Sequence, residues 1–256
     1  MTKHFILPDV QVKPGQDLSH LTWAGKYCVA HKPDVIVCIG DFADMPSLSS
    51  YDVGTKSFEG RSYKKDIEAT HEAMNRFMGP IIKEQRRLAA GKRKRWNPRL
   101  VLTLGNHEHR IDRAVNYDRK LEDLMSMSDL GYEEHGWEVV PFLKPIVIDD
   151  IAYCHYFCSG VMGRAITSAR LTLTKKHMSC VAGHQQGKDI ATSYKGDGRR
   201  ITSIIAGSYY QHDEGYLNEQ TNNDHWRGVV QLNEVDKGQF EEMFVSLNYL
   251  KGKYGR

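Results

Sequence analysis

Short apolar runs recur along this chain, and several of them end directly at Asp, Asn or His. Each run has the length of a buried strand, and helical patterns separate the early runs. Strands that alternate with helices favour a layered α/β fold. The predicted strand regions are residues 4–7, 34–39, 99–104, 145–157, 177–182 and 200–207.

Helical periodicity and turn residues complete this outline. Apolar residues at three- or four-residue spacing predict a long helix from Lys64 to about Lys92, with Gly91 as its stop signal. Two further amphipathic helices are predicted at residues 17–31 and 116–130. Hairpin turns are predicted at residues 149–150 and 236–238.

Composition limits the class of protein. The chain has 256 residues, 40% hydrophobic and 26% charged, which is typical of a soluble globular protein. No linker divides it, so we expect one domain over residues 1–256. The apolar run near the N-terminus is too short for a membrane span, and no membrane association is expected. Five cysteines without a CxxC pair favour a reducing compartment, the cytoplasm.

Two segments could contact a polyanion. Residues 84–99 contain seven Lys or Arg and one Glu, which fits either a solvated helix end or a surface for an acidic substrate. Residues 207–228 form a polar, aromatic loop whose Tyr209, Tyr210, His212 and Trp226 could flank a base or a sugar. An aromatic-anchored surface loop is the alternative.

Five short stretches carry potential metal ligands, and each follows an apolar run. In layered α/β proteins ligands collect at the carboxyl ends of strands, so these stretches are expected to converge. Asp, Asn and His supply oxygen and nitrogen donors that suit divalent metals. The stretches are residues 8–11, 40–44, 105–108, 154–156 and 183–186.

The ordered set resembles the calcineurin-like metallophosphoesterase superfamily, whose pattern runs D-x-H, G-D-x-x-D, G-N-H-E/D, H and G-H-x-H. The resemblance covers residues 9–186 in the same order. It implies a four-layer α/β/β/α sandwich of two mixed β-sheets flanked by helices. It also implies a metal-dependent phosphoesterase in which two divalent metal ions activate the attacking water.

The resemblance assigns roles residue by residue. His107 would act as an acid to the leaving oxygen or as a clamp on phosphate, with Asp44 as its orienting partner. Asp41 would bridge the two metals. The second metal site would be completed by Asn106, His155 and His184, and the first by Asp9, Gln11 and Gln186.

Two glutamines depart from the family pattern. Gln11 and Gln186 stand where D-x-H and G-H-x-H have histidine, and both changes fall on the first site. Amide oxygen is a harder and weaker donor than imidazole, so Mn²⁺ is the expected metal, with Mg²⁺ or Ca²⁺ as options at the glutamine site. This hypothesis predicts a tightly held second metal and an exchangeable first one. The alternatives are a single-metal enzyme and a chain without activity.

The expected substrate is a phosphodiester in nucleic acid or a nucleotide. Arg110 could bind substrate phosphate, and Tyr209 and His212 could bind the rest of the substrate. The alternatives are a phosphomonoesterase, including a Ser/Thr-type protein phosphatase, and a relative that binds nucleic acid or protein without turnover. Met45-Pro46 and Leu104 replace residues typical of that phosphatase family. The sequence leaves the oligomeric state open.

Overall fold

A computed structural model of the protein describes residues 1–50, 54, 58–213 and 224–255. Within these residues a six-stranded sheet has the order β13-β12-β1-β2-β3-β4. Its strands are β1 (Thr2–Leu7), β2 (Val35–Cys38), β3 (Arg99–Thr103), β4 (Glu138–Val140), β12 (Gly228–Asp236) and β13 (Gln239–Ser246). β1 to β4 are parallel neighbours, whereas β12 and β13 are antiparallel.

A five-stranded sheet has the order β10-β11-β9-β6-β5. Its strands are β5 (Ile146–Ile148), β6 (Ile151–Tyr153), β9 (Ser179–Ala182), β10 (Lys188–Tyr194) and β11 (Arg200–Ala206). β9 runs parallel to β6 and β11, and the two edge strands are antiparallel. A small ribbon pairs β7 (Cys158–Ser159) with β8 (Arg164–Ala165).

Five α-helices lie within the described residues. They are α1 (Ser19–His31), α2 (Tyr63–Ala90), α3 (Arg110–Tyr117), α4 (Ala169–Lys176) and α5 (Leu247–Tyr254). Short 3₁₀ turns cover Pro46–Leu48, Arg119–Leu121, Met127–Leu130 and Glu133–His135.

The alternation of side chains along the central strands creates two cores. In β1, Phe5 and Leu7 join a core with residues of α1 and α2, whereas Ile6 joins a core shared with the five-stranded sheet. β2 repeats the pattern, with Ile36 facing the first core and Val37 the second. Successive strand residues point to opposite faces, so each central strand supports both layers.

The layers therefore run from helices through two sheets to a helix. α1 and α2 cover the outer face of the six-stranded sheet, and α4 contacts β9, β10 and β11 of the five-stranded sheet. The predicted α/β/β/α sandwich is confirmed. Both predicted hairpins are also present, and Asp149 and Asp150 have the positive φ angles, 49° and 62°, that a tight hairpin turn requires.

The predicted helix at residues 116–130 is wrong. α3 ends at Tyr117, and two 3₁₀ turns replace the rest of the segment. The Asp118 carboxylate accepts a hydrogen bond from the Lys120 amide, and Ser126 opens a capping box with Asp129, so side chains compete for the backbone groups. Part of the predicted loop at residues 207–228 lies outside the described residues.

Candidate metal centre

The carboxyl ends of five strands bring the predicted ligands to one edge of the molecule. Asp9 follows β1, Asp41 follows β2 and Asn106 follows β3, and these strands are parallel. His155 follows β6 and His184 follows β9, which are parallel neighbours in the other sheet. The site thus takes side chains from both sheets at the point where both end.

Three of these side chains could hold one metal ion. One ligand atom each from Asp41, His155 and His184 lies within 4.8 Å of the other two. His155 Nε2 is 3.3 Å from Asp41 Oδ2 and 3.0 Å from Asn106 Oδ1. The set of one carboxylate, one amide and two imidazoles fits a divalent transition metal.

The residues of the other predicted site are also buried beside this cluster. The Asp9 carboxylate accepts hydrogen bonds from the His184 amide at 2.9 and 3.1 Å, and its Oδ1 is 4.0 Å from His155 Nδ1. Gln11 is 1% exposed, and its Oε1 has no hydrogen-bond partner among the described residues. An unpartnered buried oxygen is an available ligand atom.

Gln186 has a different environment from Gln11. Its Oε1 accepts a hydrogen bond of 2.6 Å from the hydroxyl of Tyr210, which also lies 2.9 Å from His225 Nδ1. This oxygen has one lone pair left for a cation, so it is the less available of the two glutamine oxygens. The two glutamines therefore do not make equivalent replacements for histidine.

The backbone at the predicted ligands is unusual for residues other than glycine. The φ angles are 47° at Gln11, 49° at Asp41, 66° at His184 and 56° at Gln186. This left-handed conformation costs of order 1 kcal/mol or more per residue and clusters at functional sites. Hydrogen bonds such as Gln11 N–H to the Asp41 carbonyl, 2.8 Å, hold it in place.

Two motif glycines make room for the carboxylates. A Cβ on Gly105 would lie 2.1 Å from Asp41 Oδ1, and one on Gly183 would lie 2.2 Å from Asp9 Oδ1. No side chain fits at such distances. The glycines that precede Asn106 and His184 are therefore required by the close approach of the ligands, which explains these motif positions physically.

Asp44 holds His107 beside the cluster of Asp41, His155 and His184, which we call the ligand cluster. His107 Nδ1 makes a short contact with Asp44 Oδ1, and His107 Nε2 lies 3.7 Å from Asp41 Oδ2. The ring thus turns one nitrogen to its orienting carboxylate and the other to the ligand cluster. Lys13 Nζ is 3.4 Å from Asp44 Oδ2 and Arg110 is 3.5 Å from Asp44 Oδ1, so two cations flank this carboxylate.

Glu108 is a structural member of the site. Its buried carboxylate accepts hydrogen bonds from the backbone amides of Asp41, Ala43 and Gly105, at 2.9 to 3.1 Å. The Tyr132 hydroxyl donates a further bond. Glu108 therefore joins the loop after β2 to the loop after β3 and fixes Asp41 relative to Asn106.

Burial and charge together set the protonation of the site. Burial raises the pKa of Asp9, and the neighbouring Asp41 raises it further. Burial and, to a smaller extent, the neighbouring His155 together lower the pKa of His184 to about 4, so His184 is neutral at pH 7 and able to ligate. For His107, burial lowers the pKa, but Asp41 and Asp44 outweigh burial and raise it. Burial lowers the pKa of His155, but Asp41 and Asp9 outweigh burial and raise it to about 10, so a cation bound there would displace the His155 proton.

The three predicted substrate residues have other partners in the structure. Tyr209 is fully buried, and its hydroxyl donates to the His20 carbonyl, so its ring belongs to the core. His212 stacks on Tyr210 with ring centroids 4.5 Å apart. Arg110 donates to the carbonyl of Asp44 at 2.7 Å and supports the His107–Asp44 pair. Tyr209 thus does not offer a substrate contact.

Sequence reasoning missed two neighbours of the site. Lys13, which lies two residues after Gln11, approaches Asp44, and Tyr156, which follows His155, lies against His184 with ring centroids 4.6 Å apart. Tyr156 stands inside a ligand stretch, but a lone aromatic residue gives no signal. Lys13 gives none because its partner is distant in sequence.

The basic stretch does not lie at this edge. Residues 92–95 connect the end of α2 to the start of β3, whereas the ligands follow the end of β3. Trp96 is anchored, since its indole N–H donates to the Pro33 carbonyl and Lys32 lies 4.4 Å from its ring centroid. The stretch therefore provides no contact to a phosphate at the ligand cluster. None of the helices in the described part of the chain is long and apolar enough to cross a membrane.

Comparisons find similarity among solved structures alone. Neither a family model nor a curated protein matches the sequence. A conserved Streptococcus pneumoniae protein described as a predicted phosphoesterase is 12% identical, with 96% of this chain and 90% of that chain covered and a TM-score of 0.38. A dimetal phosphatase from Danio rerio is 10% identical, with 96% and 99% covered and a TM-score of 0.38.

A third similar structure is the anchor protein of the inner membrane complex of Plasmodium. It is 12% identical, with 100% of this chain and 86% of that chain covered and a TM-score of 0.32. These sequence identities and TM-scores are too low to assign a function. A functional assignment therefore depends on the residues of this chain. In the order of its motifs and in its two-sheet α/β fold, the chain resembles the calcineurin-like metallophosphoesterases.

Proposed function

We propose that this protein is a metal-dependent phosphoesterase. The observation that carries the proposal is the placement of His107 Nε2, 3.7 Å from the same Asp41 carboxylate that forms the cluster with His155 and His184. A cation-binding set and an oriented proton donor thus meet at the Asp41 carboxylate. This is the arrangement that phosphoryl transfer requires, because positioning and charge stabilisation supply most of its catalysis.

We propose two divalent metal ions as cofactors, with Mn²⁺ preferred. Asp41, Asn106, His155 and His184 would hold the tighter ion. Asp9, Gln11 and Gln186 would complete a weaker site, because amide oxygens replace imidazole and the Gln186 oxygen is shared with Tyr210. When bound, such ions neutralise phosphate charge and lower the pKa of water.

Metal analysis after dialysis tests this division. The protein should keep about one equivalent of metal and lose the second, which added Mn²⁺ should restore. Zinc or iron that stays bound in both sites through chelator treatment would contradict it.

His107 would protonate the leaving oxygen or clamp a phosphate oxygen through Nε2. Asp44 keeps the proton on Nδ1 and stabilises the charged imidazole, and Arg110 and Lys13 hold Asp44 in place. Asp9 and Asp41 would supply the negatively charged ligands. Since the five cysteines are unpaired, we keep the cytoplasm as the expected compartment.

The proposed substrate is a phosphodiester in nucleic acid or a nucleotide. Support for this finer assignment comes from aromatic side chains at the ligand edge, described below, since the basic stretch lies elsewhere. A phosphomonoester is the competing substrate class. A chain that binds without turnover is the competing type of protein.

A paired assay separates these possibilities. Bis-p-nitrophenyl phosphate and p-nitrophenyl phosphate should be compared under Mn²⁺ with wild type and His107→Ala. We expect hydrolysis of the diester, reduced about 10²-fold or more by His107→Ala. Preference for the monoester would favour the phosphomonoesterase, and absence of turnover with Mn²⁺, Mg²⁺ or Ca²⁺ would overturn the enzymatic proposal.

A further inference from the structure

A row of aromatic rings extends from the candidate metal centre. The ring centroid of Tyr156 is 4.6 Å from that of His184, a predicted ligand. Phe142 lies 5.6 Å beyond Tyr156, and His109 stacks on Phe142 at 4.8 Å with the ring planes 27° apart. Each ring of this row, which we call the aromatic row, contacts the next without a gap.

The aromatic row lies at the same edge as the ligands for topological reasons. His109 follows β3 and Phe142 follows β4, which are parallel, while Tyr156 follows β6 in the other sheet. The row therefore spans the junction between the two sheets where both end. Its position is set by the same strand directions that gather Asp41, His155 and His184.

The rings are held firmly but remain accessible. Phe142 packs against the core that the six-stranded sheet shares with α1 and α2. His109 is fixed by a 3.1 Å contact between its Nδ1 and Asp112 Oδ2. Phe142, Tyr156 and His109 are each partly exposed, with the His109 side chain 33% exposed. Each ring therefore keeps part of its surface accessible to a ligand.

We infer that the aromatic row receives a nucleobase of the substrate while its phosphate lies at the metal centre. This inference rests on the proposed phosphodiesterase function. Bases stack on protein aromatic rings regardless of sequence, with a contribution of about 1–3 kcal/mol per base. A sugar separates each base from its phosphate, which suits Tyr156 and Phe142 because they lie one and two rings away from His184.

A phosphotyrosine is the competing aromatic substrate. Its ring is joined to the phosphate through a single oxygen, so it would reach Tyr156 but leave Phe142 and His109 without a contact. The extent of the row therefore favours a base over a phenyl ring. It also favours a single-stranded substrate, because a base inside a duplex cannot present its face to a side chain.

A pair of dinucleotides that differ by one base tests the inference. Thymidylyl-thymidine and its analogue without one base should be hydrolysed under Mn²⁺ by wild type, Tyr156→Leu, Phe142→Leu and Tyr156→Phe. We expect wild type to prefer the complete dinucleotide at least about fivefold in kcat/KM. In both Leu variants the ratio of the two kcat/KM values should fall to about one, because the stacking surface is lost. Tyr156→Phe, which keeps the ring, should retain the preference.

Tyr194→Leu is the matched control, because Tyr194 is an exposed tyrosine at the opposite end of the five-stranded sheet. It should leave the preference unchanged. A preference that is absent in wild type, or that survives in Tyr156→Leu and Phe142→Leu, would overturn the inference and leave the phosphoesterase proposal standing. If phosphotyrosine were hydrolysed faster than either dinucleotide, and if this rate depended on Tyr156, the ligand of the aromatic row would be a phenyl ring and not a nucleobase.

If neither dinucleotide is cleaved, the proposed phosphodiesterase function is wrong. The aromatic row is then tested by measuring the binding of a dinucleotide without turnover. A dinucleotide that contains 2-aminopurine should lose fluorescence when it stacks on the wild-type protein and not on Tyr156→Leu. Equal quenching by both proteins, or by neither, would overturn the aromatic row as a base-binding site.

Discussion

The His107–Asp44 pair shows how one carboxylate can determine the chemistry of an imidazole. Asp44 is 6% exposed and contacts His107 Nδ1, so the other ring nitrogen must face the ligand cluster. Arg110 and Lys13 balance its charge. The orientation of the His107 ring therefore depends on the ionised Asp44 side chain.

Asp44→Asn should lower kcat about 10²-fold or more, because the amide no longer fixes the tautomer or stabilises charge on the ring. Asp149→Asn is the matched control, since Asp149 makes the same kind of contact with His4, 3.1 Å, far from the site. It should leave kcat unchanged. Equal activity of Asp44→Asn and wild type would show that His107 does not depend on this carboxylate.

His20 should make stability depend on pH. It is buried, its Nε2 has no hydrogen-bond partner within the described ranges, and burial lowers its pKa to about 4. The unfolded chain binds this proton below about 6.5 and the folded chain only below about 4, so stability falls as pH falls through that window. The difference corresponds to about 3 kcal/mol at ~1.4 kcal/mol per pH unit.

Urea unfolding at pH 7 and pH 4.5 measures this effect. His20→Gln should reduce the loss of unfolding free energy between the two pH values, whereas His177→Gln, at an exposed position, should not. An identical loss in wild type and His20→Gln would assign the pH dependence to other groups.

At the scale of elements, the packing of α1 on α2 depends on Gly25. A Cβ there would lie 2.3 Å from the Phe77 carbonyl oxygen and 3.1 Å from Pro80 Cγ. Pro80 lies inside α2 and has no N–H to donate to the helix. The absence of a side chain at Gly25 lets the two helices approach each other there.

Gly25→Ala should therefore destabilise the protein by about 1–3 kcal/mol, because the helices must separate. Gly79→Ala provides the control: Gly79 is also helical, but no atom from outside its own helix lies within 4 Å of the place where a Cβ would stand, so alanine should be neutral or stabilise by up to about 1 kcal/mol. The comparison of unfolding midpoints checks both. A neutral Gly25→Ala would mean that α1 and α2 can shift apart without cost.

The elements also show what the sequence can predict. β1, β2 and β3 are apolar on both faces because both faces are buried, and such runs are easily recognised. β10 is not predicted because it lacks an apolar run. It is an edge strand in which half-buried and exposed residues alternate. The ligand stretches are recognisable from their order, but the partners of Gln186 and Asp44 depend on long-range packing that spacing does not contain.

At the scale of the whole molecule, the candidate metal centre lies between the two sheets. Asp41 and Asn106 follow strands of the six-stranded sheet, and His155 and His184 follow strands of the five-stranded sheet. An ion bound by these side chains would link the two sheets at their common edge. Metal affinity and global stability should therefore be coupled.

Mn²⁺ should raise the unfolding free energy of wild type by about 2.7 kcal/mol at 100 times the dissociation constant, because it binds the folded state alone. His184→Gln should show a much smaller rise, whereas His177→Gln should respond like wild type. Calorimetric melting with and without Mn²⁺ measures the difference. A rise in His184→Gln equal to that of wild type would place the stabilising ion elsewhere.

The loop of Lys and Arg at residues 92–95 lies at the start of β3, and this position makes substrate length important. The five residues of β3 separate the loop from the ligands by roughly 17 Å. A dinucleotide cannot bridge that gap, whereas a longer strand that passes around the protein can. Replacing the four basic residues of this loop with neutral ones should therefore leave the hydrolysis of short substrates unchanged and slow the hydrolysis of long ones. Added salt should weaken binding more steeply as the length of the polymer increases.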